Sequence, residues 1–179
     1  MNPKPPLTER LTRINVLVLD VDGVLTDGSI FYSDQNTELR PFHVRDGIAL
    51  RWWHSLGYRS VIISGRSSPL VDRRAKETDV AKVLQGVGNK QAALRILSEE
   101  LNFKIEESCC IGDDLPELAL MNCCGIAVTV ADGVQEMRAV ADYVTQQPGG
   151  RGAVRETIEW ILKAQGRWNE VVLRYANQV

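Results

Sequence analysis

Residues 14–28 read "INVLVLDVDGVLTDG". Branched apolar residues run from Val16 to Leu19 and stop at Asp20 and Asp22, with Gly23 next. A continuous apolar run of strand length is the mark of a strand buried on both faces, as in a parallel sheet. Two carboxylates at the tip of such a strand stand where open α/β sheets bind their ligands.

Further strand-length runs follow: "SVIIS" (60–64), "AKVLQ" (81–85), "SCCIG" (108–112) and "IAVTV" (126–130). Helix-length segments lie between them. Asp46 suits the cap of a helix over 47–56, which Gly57 ends. Ser68 with Pro69 opens another, Asn89 suits a cap for 90–101, and Asp114 precedes a helix beginning "LPELALMN". The pattern predicts a doubly wound α/β domain with a mostly parallel sheet, its strand ends aligned along one edge. A single domain over 1–179 is expected, since 179 residues carry neither an internal repeat nor a linker.

Residues 28–44, "GSIFYSDQNTELRPFHV", break the alternation. Two strand-like runs flank "DQNT", which predicts a projecting β-hairpin with Pro41 confining the second run to an edge or bulge. Composition leaves two readings of it open, an edge covered by association and a simple flap.

Composition narrows the function. Hydrophobic residues make up 44% and charged residues 25%, with 21 basic against 23 acidic side chains. Without a basic surplus, nucleic acid is not an expected partner. No apolar run reaches membrane-span length, and the opening "MNPKPPLTERLTR" is a polar lead-in without a signal-peptide core, so a cytoplasmic protein is expected. The cysteines stand as neighbours, Cys109–Cys110 and Cys123–Cys124, a spacing that suits buried small side chains rather than a metal clamp or disulfide framework.

Taken alone, Asp20 or Asp22 is a turn former. Their companions at other strand ends argue for chemistry: Ser64 and Arg66 after the second main run, Asp113 and Asp114 after the fourth, and Lys90 opening a helix after the third. Converging carboxylates repel unless a cation joins them, and an all-oxygen set suits magnesium. Serine, lysine and helix amides hold phosphate oxygens. The combination fits phosphoryl transfer in which Asp20 attacks phosphorus and Asp22 shuttles the proton.

"DVDGVLTDG" (20–28) resembles the first motif of the haloacid dehalogenase superfamily, with Ser64, Lys90 and "GDDLPE" (112–117) in the places of the second to fourth. The resemblance implies Asp20 as nucleophile and Asp22 as acid/base. It implies magnesium held by Asp20, the backbone carbonyl of Asp22 and Asp113, with Asp114 orienting the site. "FHVRDG", "SGRSS", "LQGVGNK", "IGDDLPELALM", "ADYVT" and "GGRGAVRE" are similar to the 3-deoxy-D-manno-octulosonate 8-phosphate phosphatases, a capless subgroup with a hairpin in place of the cap domain. That resemblance covers about residues 14–166. It implies a homotetramer with hairpins meeting at its centre, a neighbour closing each site, and a sugar-acid phosphate substrate of lipopolysaccharide synthesis.

It also implies substrate contacts from Asp22, His43, Val44, Arg45, Asp46, Gly47, Arg51, Arg66, Arg74 and Lys90, arginines being suited to the substrate carboxylate. Read without it, Arg74 and Arg51 are solvated helix charges and His43 a packing residue. The stretch over 147–162 pairs a glycine-rich turn with an amphipathic helix; the resemblance makes it a mobile tail with Arg151 as a site contact, and plain reading makes it a packing helix. The segment 167–179 is expected to be peripheral. Two departures stand out: Glu117 and His43 replace the aspartate and asparagine of the resembled family, and the longer Glu117 is expected to loosen its surroundings.

Three other readings share these residues. The same chemistry on a nine-carbon nonulosonate 9-phosphate differs by few pocket contacts. A signalling receiver domain would carry its phosphate-accepting aspartate on the third strand, where this chain has "LQGVG". A non-catalytic regulatory copy would not be expected to keep every motif residue.

Overall fold

The computed structural model describes residues 5–35 and 37–176. Strand β1 (Val16–Leu19) lies at the centre, paired in parallel with β4 (Arg59–Ile63) and β6 (Ser108–Gly112). β5 (Lys82–Leu84) flanks β4; β7 (Ile126–Thr129) and then β8 (Tyr143–Val144) extend the other side, all parallel. The order β5-β4-β1-β6-β7-β8 means the chain winds outward one way from β1, then returns to its other side at β6. The crevice between β1 and β6 is therefore the switch point, where ligands of this fold class bind.

Because successive strand residues face opposite ways, β1 feeds two cores. Leu17 and Leu19 join Cys109, Ile111 and Ile62 under α2 (Val44–Ser55), α3 (Pro69–Glu77) and α7 (Ala153–Ala164). Val16 and Val18 join Cys110, Val61 and Ile63 under α4 (Lys90–Glu100), α5 (Leu118–Cys123) and α6 (Gln135–Val140). Cys109 and Cys110 thus part to opposite faces, whereas Cys123 and Cys124 both pack on the second core, and none of the four is in a disulfide. Ser68 and Asn89 cap α3 and α4, accepting from the amides of Leu70 and Ala92.

The structure corrects several expectations. The lead-in contains a helix, α1 (Leu7–Arg13), tied down by Arg10 on Asp142 at 2.6 Å. The predicted hairpin exists as β2 (Phe31–Tyr32) and β3 (Glu38–Leu39), only two residues each. Pro41 supplies no N–H, and the exposed faces of both strands bury too little to lengthen them. Asp46 does not cap α2, which begins at Val44. Its carboxylate instead accepts from the amides of Gly152 (3.2 Å) and Arg155 (2.8 Å), capping α7 from a neighbouring helix. Helix α7 is core rather than mobile tail: Val154, Ile158, Ile161 and Leu162 are wholly buried. Beyond it α8 (Trp168–Ala176) buries Val171, and the tryptophan indole of Trp52 donates to the hydroxyl of Tyr175 at 2.9 Å. The expectation for 177–179 lies outside the described residues.

Candidate active site

Directly after β1 the backbone turns sharply. The amides of Val24, Leu25 and Thr26 all donate to the carbonyl of Val21, so Asp20 and Asp22 flank a tight loop. Gly23 sits at φ +95° there, and a Cβ on it would fall 2.0 Å from Asp113 Oδ2. Only glycine lets the β1 loop and the β6 carboxylate approach so closely.

A cleft of about 390 Å³ opens at this edge, lined by Asp20, Asp22, Arg66, Lys90, Asp113 and Glu117 among others. Lys90 Nζ, buried, donates to Asp20 Oδ1 at 2.5 Å and also contacts Glu117 Oε1. Asn89 capping α4 is what sets the lysine at that helix's first turn, aimed at Asp20. Ser64 is buried at the end of β4, its hydroxyl accepting from the Arg66 amide at 3.2 Å.

Among the described residues, carboxylate oxygens of Asp20, Asp113 and Glu117 lie within 4.8 Å of one another. Burial pushes the Asp20 carboxyl up to about 6; Glu117 adds to the rise, and Lys90 opposes it. Burial also drives Asp113 up to about 7, helped by the charges of Asp20 and Glu117. Burial works against the charge of Lys90, but Asp20 and Glu117 more than offset it and raise its pKa overall. Three carboxylates facing one lysine leave negative charge uncompensated, and a hard divalent cation such as magnesium fits that donor set.

Glu117 is less suited than Asp20 and Asp113 to be a ligand. One oxygen is on Lys90; the other accepts from the Asp114 amide at 3.3 Å in a capping box that starts a 3₁₀ turn over Leu115–Glu117. It is buried and held at both ends, so the longer side chain tightens its surroundings instead of loosening them. Gly112 makes room for it, since a Cβ would lie 2.6 Å from Glu117 Cβ. Asp114 uses its own carboxylate to accept from the Leu115 amide at 2.8 Å, so it shapes the turn that carries Asp113.

The site reaches beyond the motif residues. Arg40, following β3, places Nη1 2.7 Å from Asp22 Oδ1. On the other side, Arg66 Nε stands 3.9 Å from Asp22 Oδ2, while Arg66 Nη2 donates to the Tyr32 hydroxyl at 2.9 Å. Neither Arg40 nor Tyr32 was legible as a site residue, because nothing in a two-residue strand's pattern points inward. The loop over 149–152 packs beneath the turn that carries Asp22: a Cβ on Gly149 would lie 1.7 Å from the Gly23 carbonyl oxygen, and the Gly150 amide donates to the Val24 carbonyl. Gly149 and Gly150 were visible in the sequence; their partner was not.

Other expected substrate contacts fall outside this cleft of the single chain. Arg74 donates to the His43 carbonyl at 2.9 Å and packs on Gly47, where a Cβ would meet its guanidinium at 2.2 Å. His43 lies 3.7 Å from Asp46, whose own oxygens are committed to α7. Val44 is exposed, and Arg45 lines a separate groove with Arg151 and Arg155. Arg151 pairs with Asp27 at 3.1 Å. Arg51 lines a depression with Trp52, Arg174 and Tyr175, between α2 and α8.

Residues 72–156 match the haloacid dehalogenase-like hydrolase family. The 3-deoxy-D-manno-octulosonate 8-phosphate phosphatase of Salmonella typhimurium is 39% identical over 166 residues, covering 93% of this chain and 88% of the relative. Its counterpart in Escherichia coli K12 is 41% identical over 88% of this chain and 84% of its own length. The Moraxella catarrhalis phosphatase of that name, solved with magnesium, phosphate and the sugar acid, superposes with a TM-score of 0.91 at 40% identity, covering 94% of this chain and 97% of that one. A cobalt-bound Haemophilus influenzae structure gives 0.86 at 33% identity, with 89% and 93% covered.

Proposed function

Since this chain belongs to the 3-deoxy-D-manno-octulosonate 8-phosphate phosphatases, within the haloacid dehalogenase-like hydrolases, we propose that it releases phosphate from that sugar-acid ester on the way to lipopolysaccharide. It is a magnesium-dependent phosphoric monoester hydrolase. The observation that carries the proposal is the meeting of Asp20, Asp22, Lys90 and Asp113 in one cleft at the sheet's switch point.

In this reading an Asp20 oxygen attacks phosphorus while the bond from phosphorus to the sugar oxygen breaks. The Asp22 carboxyl gives its proton to that departing oxygen. Asp22, now a carboxylate, takes a proton from water; the resulting hydroxide attacks phosphorus, the Asp20–phosphorus bond breaks, and inorganic phosphate leaves. Lys90 and Ser64 hold the transferring oxygens, and Lys90 also fixes the nucleophile. Asp20, the Asp22 backbone carbonyl and Asp113 would hold the magnesium ion, which supplies Lewis-acid polarisation of the phosphoryl group.

Assembly through the hairpins, as a homotetramer, is part of the proposal; the exposed Phe31, Tyr32 and Leu39 support it. So is a cytoplasmic location. Among the described residues no helix is long and apolar enough to cross a membrane. Arginines of the α2 and α3 region reading the substrate carboxylate belong to the same proposal.

Phosphate release is to be measured from the eight-carbon 8-phosphate and from a nine-carbon nonulosonate 9-phosphate, with magnesium and with chelator. At least about tenfold higher kcat/KM on the eight-carbon ester is expected, the scale of a few pocket contacts. A preference for the nine-carbon ester would move the substrate assignment. Retention of label from a phosphodonor without turnover would make the chain a receiver-like acceptor.

A further inference from the structure

We propose that Arg40 is a positioning residue: it fixes the carboxylate of Asp22 in its proton-transfer direction and ties it to the hairpin. The inference rests on Asp22 being the proton shuttle. Its starting point is an oddity of burial. Only 1% of the Arg40 side chain is exposed, and among the described residues its Nη2 has no hydrogen-bond partner. Burying a guanidinium costs several kcal/mol unless its pairing compensates. Its two partners are Glu38, from the hairpin, and Asp22 at 2.7 Å. Glu38 anchors the arginine to its own strand, and the cation then reaches across to the catalytic turn.

Of the two cations that face Asp22 among the described residues, Arg40 is the buried and closer one. Arg66 is half-exposed, stands farther off at 3.9 Å and directs another nitrogen to Tyr32. Asp22 has no strand of its own, because β1 ends at Leu19. A flexible carboxylate transfers protons poorly, since a misplacement of about 1 Å costs on the order of a hundredfold in rate. Arg40 supplies the missing rigidity from outside the sheet, so the hairpin's placement governs the shuttle's aim.

The test uses the full chain with magnesium and two esters, the alkyl sugar phosphate and p-nitrophenyl phosphate. The second needs little help with its leaving group. Arg40→Met is expected to lower kcat on the alkyl ester about a hundredfold, the usual worth of acid–base assistance, with KM within about twofold. Rapid mixing with p-nitrophenyl phosphate should still give a burst of nitrophenolate close to the enzyme concentration, followed by slow turnover. Arg40→Lys should recover much of the loss and keep the same split; it also serves if Arg40→Met does not fold. An unchanged kcat, a rise in KM alone, or loss of the burst together with the turnover would each overturn the positioning role. Two outcomes reach the underlying reading instead: no magnesium-dependent release by the unaltered protein, or full alkyl-ester activity in Asp22→Asn.

Discussion

The turn that carries Asp22 and the hairpin that precedes Arg40 hang from opposite kinds of structure. β1 is flanked on both sides by parallel partners and is buried along its whole length. The hairpin is two residues per strand, paired only with itself, and shows Phe31, Tyr32 and Leu39 to solvent. Asp20 and the Asp113 carboxylate issue from the buried part. The cations that face Asp22 come from the hairpin or are held by it. The difference is a division of labour: Asp20 and Asp113 are set by the buried sheet, and the groups that hold Asp22 come from the exposed hairpin.

Asp20→Asn strikes the rigid side hardest. Phosphate release should fall by more than about a thousandfold, with thermal unfolding unchanged, because the substitution removes charge from a crowded cluster without altering shape. Near-normal turnover would mean the chemistry is not centred on β1. Gly149→Ala attacks the same side from beneath: its methyl must displace the Gly23 carbonyl, 1.7 Å away, and about a hundredfold loss in kcat is expected from the shifted turn. A loss confined to stability would show the turn needs no such prop.

Metal affinity sharpens the comparison through pH. With Asp113 near 7 and Asp20 near 6 before metal binds, a cation must displace protons below those values. Magnesium affinity, followed by titration calorimetry, should be flat above about pH 8 and weaken about twentyfold by pH 6. Tyr32→Phe is the mild probe of the arm. Losing one hydrogen bond to Arg66, worth about 1 kcal/mol, should raise KM a few-fold and leave kcat alone. An effect on kcat equal to that of Gly149→Ala would erase the distinction between core and arm.

The core was readable because its signal is local. Uninterrupted runs such as 16–19 and 108–112 announce buried strands, and the groups at their tips inherit a common edge from the topology alone. Lys90 and Asp113 followed from that edge. Arg40, Tyr32 and the role of Glu117 did not, since each depends on contacts across 18 to 34 residues of chain. Asp46 shows the same limit. Its place before a helix looked like a cap for that helix, and the helix it caps begins more than a hundred residues later. α1 and β8 escaped notice because they are short and lean on neighbours for their order.

That last contact has a consequence for how the molecule comes into being. An acid on α2 clasps the start of α7, and the loop leading into α7 wedges under the turn of the first-made strand. A growing polypeptide that has emerged only to residue 145 already carries Asp20, Asp22, Lys90 and Asp113 and still lacks the loop that packs beneath their turn. That packing therefore arrives late in synthesis.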